Sequence, residues 1–119
     1  MSAWVYGRNG QATIIHDNDC FRSSHGHVVA WINGNSVYSL TGLHVGWYDD
    51  GVLYDSGNNV IGFLRDCTGS LPSQPGIGGT PGTPGFGGRP GRPGFDGVPG
   101  RPGRGDWSSK SLSNYFKEE

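Results

Sequence analysis

The chain has 119 residues and a formal net charge of −1, which leaves room for one small domain and an appendage. No apolar run approaches the roughly 18 residues that a membrane-spanning helix needs, so no membrane partner is predicted. Nucleic-acid binding is not predicted either, because a binding groove needs concentrated positive charge with interleaved aromatic residues.

Residues 4–67 consist of four consecutive 16-residue repeats, without insertion or deletion. A fixed period of this kind indicates a repeat architecture. Repeat positions 2 and 12 are apolar in every copy, and position 7 is glycine in three copies and asparagine in the fourth. Glycine and asparagine tolerate a left-handed backbone, so position 7 marks a turn. The repeats are Trp4–Asp19, Cys20–Asn35, Ser36–Gly51 and Val52–Cys67.

Each repeat is predicted to form a β-hairpin. The glycine, serine or aspartate at position 4 and the residue at position 7 fit a type I turn whose last residue is left-handed. In this register, positions 2 and 10 are cross-strand neighbours and position 12 shares their face. A two-residue loop at Asn9-Gly10 is the alternative register, and it places positions 2 and 12 on opposite faces.

The four hairpins must bury their apolar faces together, because a lone hairpin is only marginally stable in water. Turn-forming residues connect the repeats, which predicts an all-β fold: a pseudo-fourfold antiparallel ring or barrel of eight strands. Position 11 is small in three repeats, which allows a neighbouring strand or the tail to lie close. The position-12 residues are expected to fill the middle of the ring: Ile15, Trp31, Trp47 and Phe63.

Residues 76–105 form ten consecutive Gly-X-Y triplets, six of which have proline in the third position. This composition predicts a polyproline II segment. A collagen-like triple helix, and with it a homotrimer, is the first hypothesis. Three alternatives remain open: another bundle of extended segments, a tail folded back over the hairpins, and a disordered linker.

The sequence predicts four parts: a hairpin domain at 1–67, a linker at 68–75, the Gly-X-Y segment at 76–105 and a docking segment at 106–119. In the docking segment, a short helix would place Leu112, Tyr115 and Phe116 on one side. Because so short a helix does not persist alone, Trp107 and Phe116 are expected to pack on the chain's own domain or to be bound by a partner.

Charge is distributed unevenly between these parts. Residues 1–67 carry three arginines and six aspartates, whereas residues 76–105 carry four arginines and one aspartate. Opposite signs favour a tail that lies along its own hairpin domain or along a neighbour's.

Three stretches of the repeats carry a resemblance to a known family: VYGRNGQA, VVAWINGNSVYSLTGLHVGWY and VLYDSGNNVIGF. Together with the Gly/Pro-rich tail and the terminal WSSKSLSNYF, the chain resembles the bacterial 4-fold beta flower proteins. The resemblance covers nearly the whole chain. It implies four hairpins arranged like petals about a pseudo-fourfold axis, and it implies no catalytic residues.

No enzymatic activity, cofactor or metal site is predicted. The carboxylates lie in turns, no serine sits on a strand-turn-helix elbow, and no phosphate-binding loop opens a helix. His25 and His27 are interpreted as polar residues of a hairpin tip. The N-terminus lacks a basic and apolar leader, so a cytoplasmic location with reduced Cys20 and Cys67 is expected. Unconventional export or association with a particle is the alternative.

Aromatic and arginine side chains at repeat position 3 are the best binding candidates, because interfaces and sugar- or peptide-binding surfaces favour these residue types. The alternative is that the tail or another subunit covers this face. In the preferred register, His44 and Tyr48 lie on the same side. The candidate ligand- or partner-binding residues are Tyr6, Arg22, Tyr38, Tyr54, Tyr48, Trp107 and Phe116.

The predicted function is that of a non-enzymatic structural or interaction protein, which oligomerises through its Gly-X-Y tail and displays its hairpin domains. The alternative is a ligand-binding module that recognises a carbohydrate or a peptide through the aromatic face. A small hydrolase with a site assembled between subunits is a third possibility. The partners predicted are therefore copies of the chain itself, with another protein or a glycan as the alternative.

Overall fold

A computed structural model describes most of the repeat region and parts of the tail, here defined as residues 76–119. Of the predicted linker at 68–75, only Thr68 is described, and the predicted site residue Phe116 lies outside the described residues. The boundaries of the four predicted parts therefore stay predictions. The described residues are 2–8, 10–65, 67, 68, 85, 88, 91, 94, 95, 97, 100, 101, 103, 107, 108 and 112–115.

Eight antiparallel strands form a closed barrel in which each strand pairs with its neighbours in sequence and β8 returns to β1. The predicted all-β fold is therefore confirmed. A single helical turn follows in the tail. The elements are β1 (Ser2–Tyr6), β2 (Ala12–Asp17), β3 (Cys20–Ser23), β4 (Val28–Asn33), β5 (Ser36–Ser39), β6 (His44–Asp49), β7 (Val52–Tyr54), β8 (Val60–Leu64) and α1 (Leu112–Tyr115).

The turn within each repeat has the predicted type. In the second repeat, the Gly26 N–H donates to the Ser23 carbonyl oxygen at 2.9 Å, and the other three repeats have the equivalent bond. The residue at position 7 is left-handed in every repeat, which only glycine and, at lower frequency, asparagine adopt readily. The φ angles are 77° at Gly10, 90° at Gly26, 94° at Gly42 and 63° at Asn58.

The predicted pairing beyond the turn is wrong, because every repeat contains a β-bulge at position 10. In the second repeat, Arg22 pairs with Val28 and Phe21 pairs with Ala30, so Val29 is an extra residue in β4. The same shift recurs in the other three repeats. A bulge interrupts the alternation of side chains along the strand. Position 2 therefore faces position 11, and position 12 lies on the opposite face.

The interior of the barrel is built from positions 2, 10, 11 and 13. Residues at position 2 come from all around the barrel and still meet in one cluster, which places them inside. The bulge and the residue after it both point inward, as Val29 and Ala30 show. The position-12 residues do not fill the middle as predicted. The position-2 residues are Val5, Phe21, Val37 and Leu53, and all four are fully buried.

The helical turn α1 closes one end of the barrel. Leu112 is 4% exposed and belongs to the interior cluster. The Tyr115 hydroxyl donates to the Val45 carbonyl oxygen and accepts a bond of 3.1 Å from the Ser56 N–H. Because Ser56 lies in the turn of the fourth repeat, α1 covers the end of the barrel where these turns lie. Burial is the main reason why the pKa of Tyr115 is raised.

Small residues at position 11 allow the close approach that the sequence predicted. A side chain at Gly46 would collide with the carbonyl oxygen of Tyr54 in the neighbouring part of the sheet. A Cβ on Gly62 would lie 2.9 Å from Val5 Cγ1 and 3.1 Å from Leu112 Cδ2. The prediction that a strand or the tail lies close to this position is confirmed.

We expect Gly46→Ala to lower the free energy of unfolding by about 3 kcal/mol, because the added methyl group meets backbone that cannot move aside cheaply. Gly34→Ala is the matched control: Gly34 has open space around it but a φ of 64°, so only backbone strain of about 1 kcal/mol is expected. Urea denaturation of both full-length variants measures the difference. Equal losses would contradict the close approach at Gly46.

Candidate functional site on the outer face

The bulge places positions 3 and 12 on the outer face of the barrel. A position-12 residue pairs across strands with the position-3 residue of the next repeat, so one such pair lies at every junction between repeats. We call these four the outer pairs. They are Ile15 with Arg22, Trp31 with Tyr38, Trp47 with Tyr54, and Phe63 with Tyr6.

Three of the outer pairs are in contact with tail residues. The Phe95 ring stacks on Tyr38 with centroids 4.2 Å apart and an angle of 16° between the planes. The Trp107 ring packs edge-on against Phe63, with centroids 6.1 Å apart. Stacked and edge-on aromatic pairs each add about 0.5–1.5 kcal/mol beyond the burial of their surface.

The third contact is made by a cation. The Arg101 guanidinium lies over Trp47 and Tyr54, with its central carbon 5.5 Å and 4.9 Å from the two ring centroids. A cation in this position is attracted by the negative faces of the rings, which is worth about 0.5–2 kcal/mol. Phe95, Arg101 and Trp107 are six residues apart, and they contact three successive outer pairs.

Polar contacts fix the position of the tail on the barrel. Arg101 Nη1 lies 2.7 Å from the Asp49 carboxylate, and Arg101 Nε donates to Asn58 Oδ1 at 2.8 Å. The Ser108 hydroxyl donates to Asp55 Oδ2 at 2.6 Å, and the Ser108 N–H donates to the Val60 carbonyl oxygen at 2.8 Å. The other oxygen of Asp55 accepts two backbone N–H groups of its own turn. The buried Asp55 carboxylate therefore connects the turn to the tail.

Two of the residues that bind the tail, Asp55 and Asn58, lie at positions where the sequence of the fourth repeat differs from that of the others. Position 4 is glycine or serine in the first three repeats and aspartate in the fourth, and position 7 is glycine in three repeats and asparagine in the fourth. Asp55 and Asn58 both accept hydrogen bonds from the tail. The equivalent residues of the other repeats offer no side-chain carbonyl or carboxylate oxygen. The tail is therefore held in one register relative to four similar repeats.

The first outer pair is different, because it contains Arg22 in place of a tyrosine. Arg22 is 3% exposed. Its Nε lies 2.8 Å from Asp17 Oδ2, and its Nη1 donates to the Gly26 carbonyl oxygen at 2.7 Å. A buried guanidinium needs such partners, since an uncompensated buried charge is costly. Arg22 therefore links β2 to the turn of the second repeat.

The predicted site residues at position 3 share one face, as expected, but they are buried: Tyr6 is 3%, Tyr38 2% and Tyr54 0% exposed. The placement of Tyr48 on this face is wrong. Tyr48 occupies position 13 and, after the bulge, points to the interior, where its ring meets Phe21 edge-on at 5.4 Å. Of the two predicted tail contacts, Trp107 reaches the barrel, and Phe116 lies outside the described residues.

Sequence reasoning missed Phe95, Arg101, Asp55 and Asn58 as members of this surface. Two signals were present. Residues six apart in a chain of Gly-X-Y triplets lie on the same edge of a polyproline II helix, which has three residues per turn. The departures of the fourth repeat at positions 4 and 7 were the second signal, because aspartate and asparagine add carboxylate and amide oxygens that the other three repeats lack there.

His44 lies on the outer face between two of the outer pairs. Its ring meets Tyr38 edge-on at 5.3 Å and Trp47 at 4.7 Å. Neither ring nitrogen has a hydrogen-bond partner among the described residues, and both are shielded from solvent. Burial lowers the pKa of His44 below its ordinary value. The pKa of His16, which lies against Phe21 and Tyr48, is also lowered, chiefly by burial and against the opposing effects of Asn18 and Asp17.

The arrangement is suited to binding an extended peptide. The outer face offers aromatic rings together with the oxygens of Asp49, Asn58 and Asp55, and they match the aromatic, basic and hydroxyl side chains of the tail. In the part of the chain that the structure describes, no group of three or more histidine, cysteine, aspartate or glutamate residues is placed to hold a metal ion. Among the same residues, no helix is long and apolar enough to cross a bilayer.

We expect Ser108→Ala to loosen the tail, because Asp55 Oδ2 then loses its hydrogen bond while it remains buried. The cost of about 1–3 kcal/mol corresponds to a loss of roughly tenfold to a hundredfold in hydrogen-exchange protection of the residue-108 amide. NMR exchange on the full chain measures it. Ser56→Ala is the matched control, since Ser56 is exposed in the same turn as Asp55. Equal protection in both variants would contradict the anchoring role.

We expect the stability of the barrel to fall as pH drops below about 6.5, the ordinary histidine pKa. Because the folded pKa of His44 is lowered, the unfolded chain takes up this proton at a higher pH than the folded chain does. The barrel therefore has its full stability well above pH 6.5 and loses stability progressively as the pH falls below that value. His44→Phe keeps the ring contacts, and its thermal midpoint should fall less steeply over this range. Any pH dependence that remains in His44→Phe is expected to come from His16, whose pKa is also lowered. A thermal midpoint that falls as steeply with pH as that of the unmodified chain would show that His44 does not contribute.

Comparison with known proteins gives one positive result. No curated protein and no solved structure matches the chain. The model of one family, described as 4-fold beta flower protein, matches residues 3–116, which covers the barrel and nearly all of the tail. The match covers far more than half of the chain, and the closed eight-stranded antiparallel barrel is consistent with it, so the chain belongs to the 4-fold beta flower protein family.

Proposed function

We propose that this protein is a non-enzymatic structural or interaction protein, which self-associates through its Gly-X-Y tail and thereby displays several β-barrels together. Linked copies of one domain bind a multivalent target far more tightly than single copies do. We further propose a cytoplasmic location, which is compatible with two cysteines, Cys20 and Cys67, that form no disulfide.

The single observation that carries this proposal is the exposed glycine edge of the tail. At each described glycine from 85 to 103, nothing lies within 4 Å of the position that a Cβ would occupy. These glycines recur at every third residue and are all exposed. The described side chains between them, Phe95 and Arg101, contact the barrel instead. The bare edge therefore points away from the barrel.

A bare glycine edge is what close packing between extended chains requires. In a collagen-like triple helix, only glycine fits at the axis, so every third residue must be glycine. Ten triplets without interruption satisfy this requirement, and six of them have proline in the third position. A homotrimer joined along this edge is therefore the assembly we propose.

The contacts of the carboxylates favour a structural over a catalytic role. Asp17 is engaged with Arg22, Asp49 with Arg101, and Asp55 with Ser108. Each of these contacts holds a turn or the tail in place. A general acid or base needs a carboxyl group that is directed at a substrate.

Burial of the outer tyrosines favours assembly over the alternative of a carbohydrate- or peptide-binding module. Tyr38 is 2% exposed and stacks on Phe95, and Tyr54 is fully buried beneath Arg101. A free sugar would have to displace these tail residues before it met the rings. The exposed glycine edge needs no such displacement.

We expect the full chain to have a mass of about three times 12.7 kDa by light scattering. The variant Gly91→Ala, Gly94→Ala, Gly97→Ala should have the mass of one chain, because three methyl groups prevent close approach along the glycine edge. Its near-ultraviolet circular dichroism, which reports the packing of the aromatic rings on the barrel, should match that of the unmodified chain, since each methyl group enters open space.

Gly34→Ala serves as the control for the mass measurement, because it adds a methyl group in open space on the barrel rather than on the tail. It should keep the assembled mass. A single-chain mass for the unmodified protein at every concentration would refute the proposal. So would an assembled mass for the triple variant.

A further inference from the structure

We infer that the outer face of the barrel is a receptor for the Gly-X-Y tail of a second copy of this chain, so that neighbouring molecules exchange tails. The receptor consists of three outer pairs, Trp31 with Tyr38, Trp47 with Tyr54 and Phe63 with Tyr6, together with the acceptors Asp49, Asn58 and Asp55.

The chemistry of the receptor specifies its occupant. Three contact sites are reached by residues six apart, so a bound segment needs suitable side chains at every second turn of a polyproline II helix. The first and third sites take an aromatic ring, and the middle site takes a guanidinium. Aromatic-lined grooves are a known way of binding polyproline II segments, because such segments lose little conformational entropy on binding.

The oxygens of Asp49, Asn58 and Asp55 further restrict which segment can bind the receptor. The middle site requires a donor that reaches Asp49 and Asn58 at once, as the two donor nitrogens of Arg101 do. Beyond the third site, a hydroxyl must reach the buried Asp55 carboxylate while the preceding residue pairs with Val60. The segment from Gly94 to Ser108 meets all these requirements, and every copy of the chain carries it.

The sequence separation allows the tail to reach a second barrel. Phe95 follows Thr68 by 27 residues, which can span on the order of 80 Å at about 3 Å per residue. The largest dimension of the molecule is 37 Å. A tail bound to its own barrel and a tail bound to a neighbour's make the same contacts, so exchange costs mainly the entropy of association.

The covalent attachment of the tail also determines the protein concentration at which exchange occurs. A tail that is covalently attached to its own barrel is present there at an effective concentration on the order of millimolar. The chain's own tail therefore occupies the receptor in dilute solution, and a second copy's tail competes only at comparable concentration. Weakening the attached tail should open the receptor to a tail supplied from outside.

This inference does not rest on the proposed assembly along the glycine edge. Exchange depends on Phe95, Arg101 and Trp107, whereas the assembly depends on glycines that face away from the barrel. The alanine substitutions at Gly91, Gly94 and Gly97 leave the receptor contacts in place. Failure of one proposal therefore leaves the other standing.

The test uses a fluorescein-labelled peptide of residues 94–108 and the full chain with Phe95→Ala, Arg101→Ala and Trp107→Ala. Fluorescence anisotropy should show saturable binding of the peptide to this variant. Binding to the unmodified chain should be at least tenfold weaker, because the attached tail occupies the receptor. A peptide that carries the same three alanines should not bind.

Two results would overturn the inference. One is the absence of peptide binding to a variant whose circular dichroism shows a folded barrel. The other is equal binding to the variant and to the unmodified chain, which would indicate a site elsewhere. If the triple variant does not fold, the single substitution Arg101→Ala decides, since Arg101 is exposed and its loss should still strengthen peptide binding several-fold. Unchanged binding by that variant would count against the inference.

Discussion

The extra residue at repeat position 10 determines which side chains face the interior of the barrel and which face outward. Without it, strict alternation would place positions 2 and 12 on one face, and the large rings of Trp31 and Trp47 would have to fit inside a narrow barrel. With the bulge, the interior receives smaller residues such as Ala30 and Ile32 in their place. An eight-stranded barrel has an interior just wide enough for its side chains, so the bulge makes closure compatible with this sequence.

The same bulge places large aromatic rings on the outer face, where they must be covered from water. Trp31, Tyr38, Trp47 and Tyr54 lie on the outer face, yet they are almost completely buried. A contiguous aromatic surface of this kind is unfavourable in water unless something covers it. The tail meets this requirement with one aromatic or cationic residue at each of three outer pairs, while its described glycines face away. The barrel and the tail are therefore energetically a single unit.

Residues that differ between the repeats fix the register of the tail on the barrel. Three similar aromatic outer pairs would let a tail of period six bind in more than one register. Asp55 and Asn58 occur only in the fourth repeat, and they provide the oxygens that Ser108 and Arg101 need. Charged hydrogen bonds are strong when they are shielded from water and costly when they are broken. One register is therefore favoured over the others, although the repeats are alike in their apolar positions.

The sequence by itself determined the repeats, the hairpins, the type of turn at position 7 and an all-β ring or barrel, because these follow from local patterns of period 16 and period 2. It also identified position 11 as a place of close approach. It could not determine the register of each hairpin, because the bulge at position 10 has no fixed residue signature: Thr13, Val29, Val45 and Ile61 would fit a regular strand equally well. Only the tertiary structure decided that Trp31 and Trp47 face outward, that Tyr48 faces inward, and that Phe95 and Arg101 cover the outer face. Those outcomes depend on the space inside the closed barrel and on contacts between residues some 50 positions apart, such as Arg101 with Asp49, which no local pattern contains.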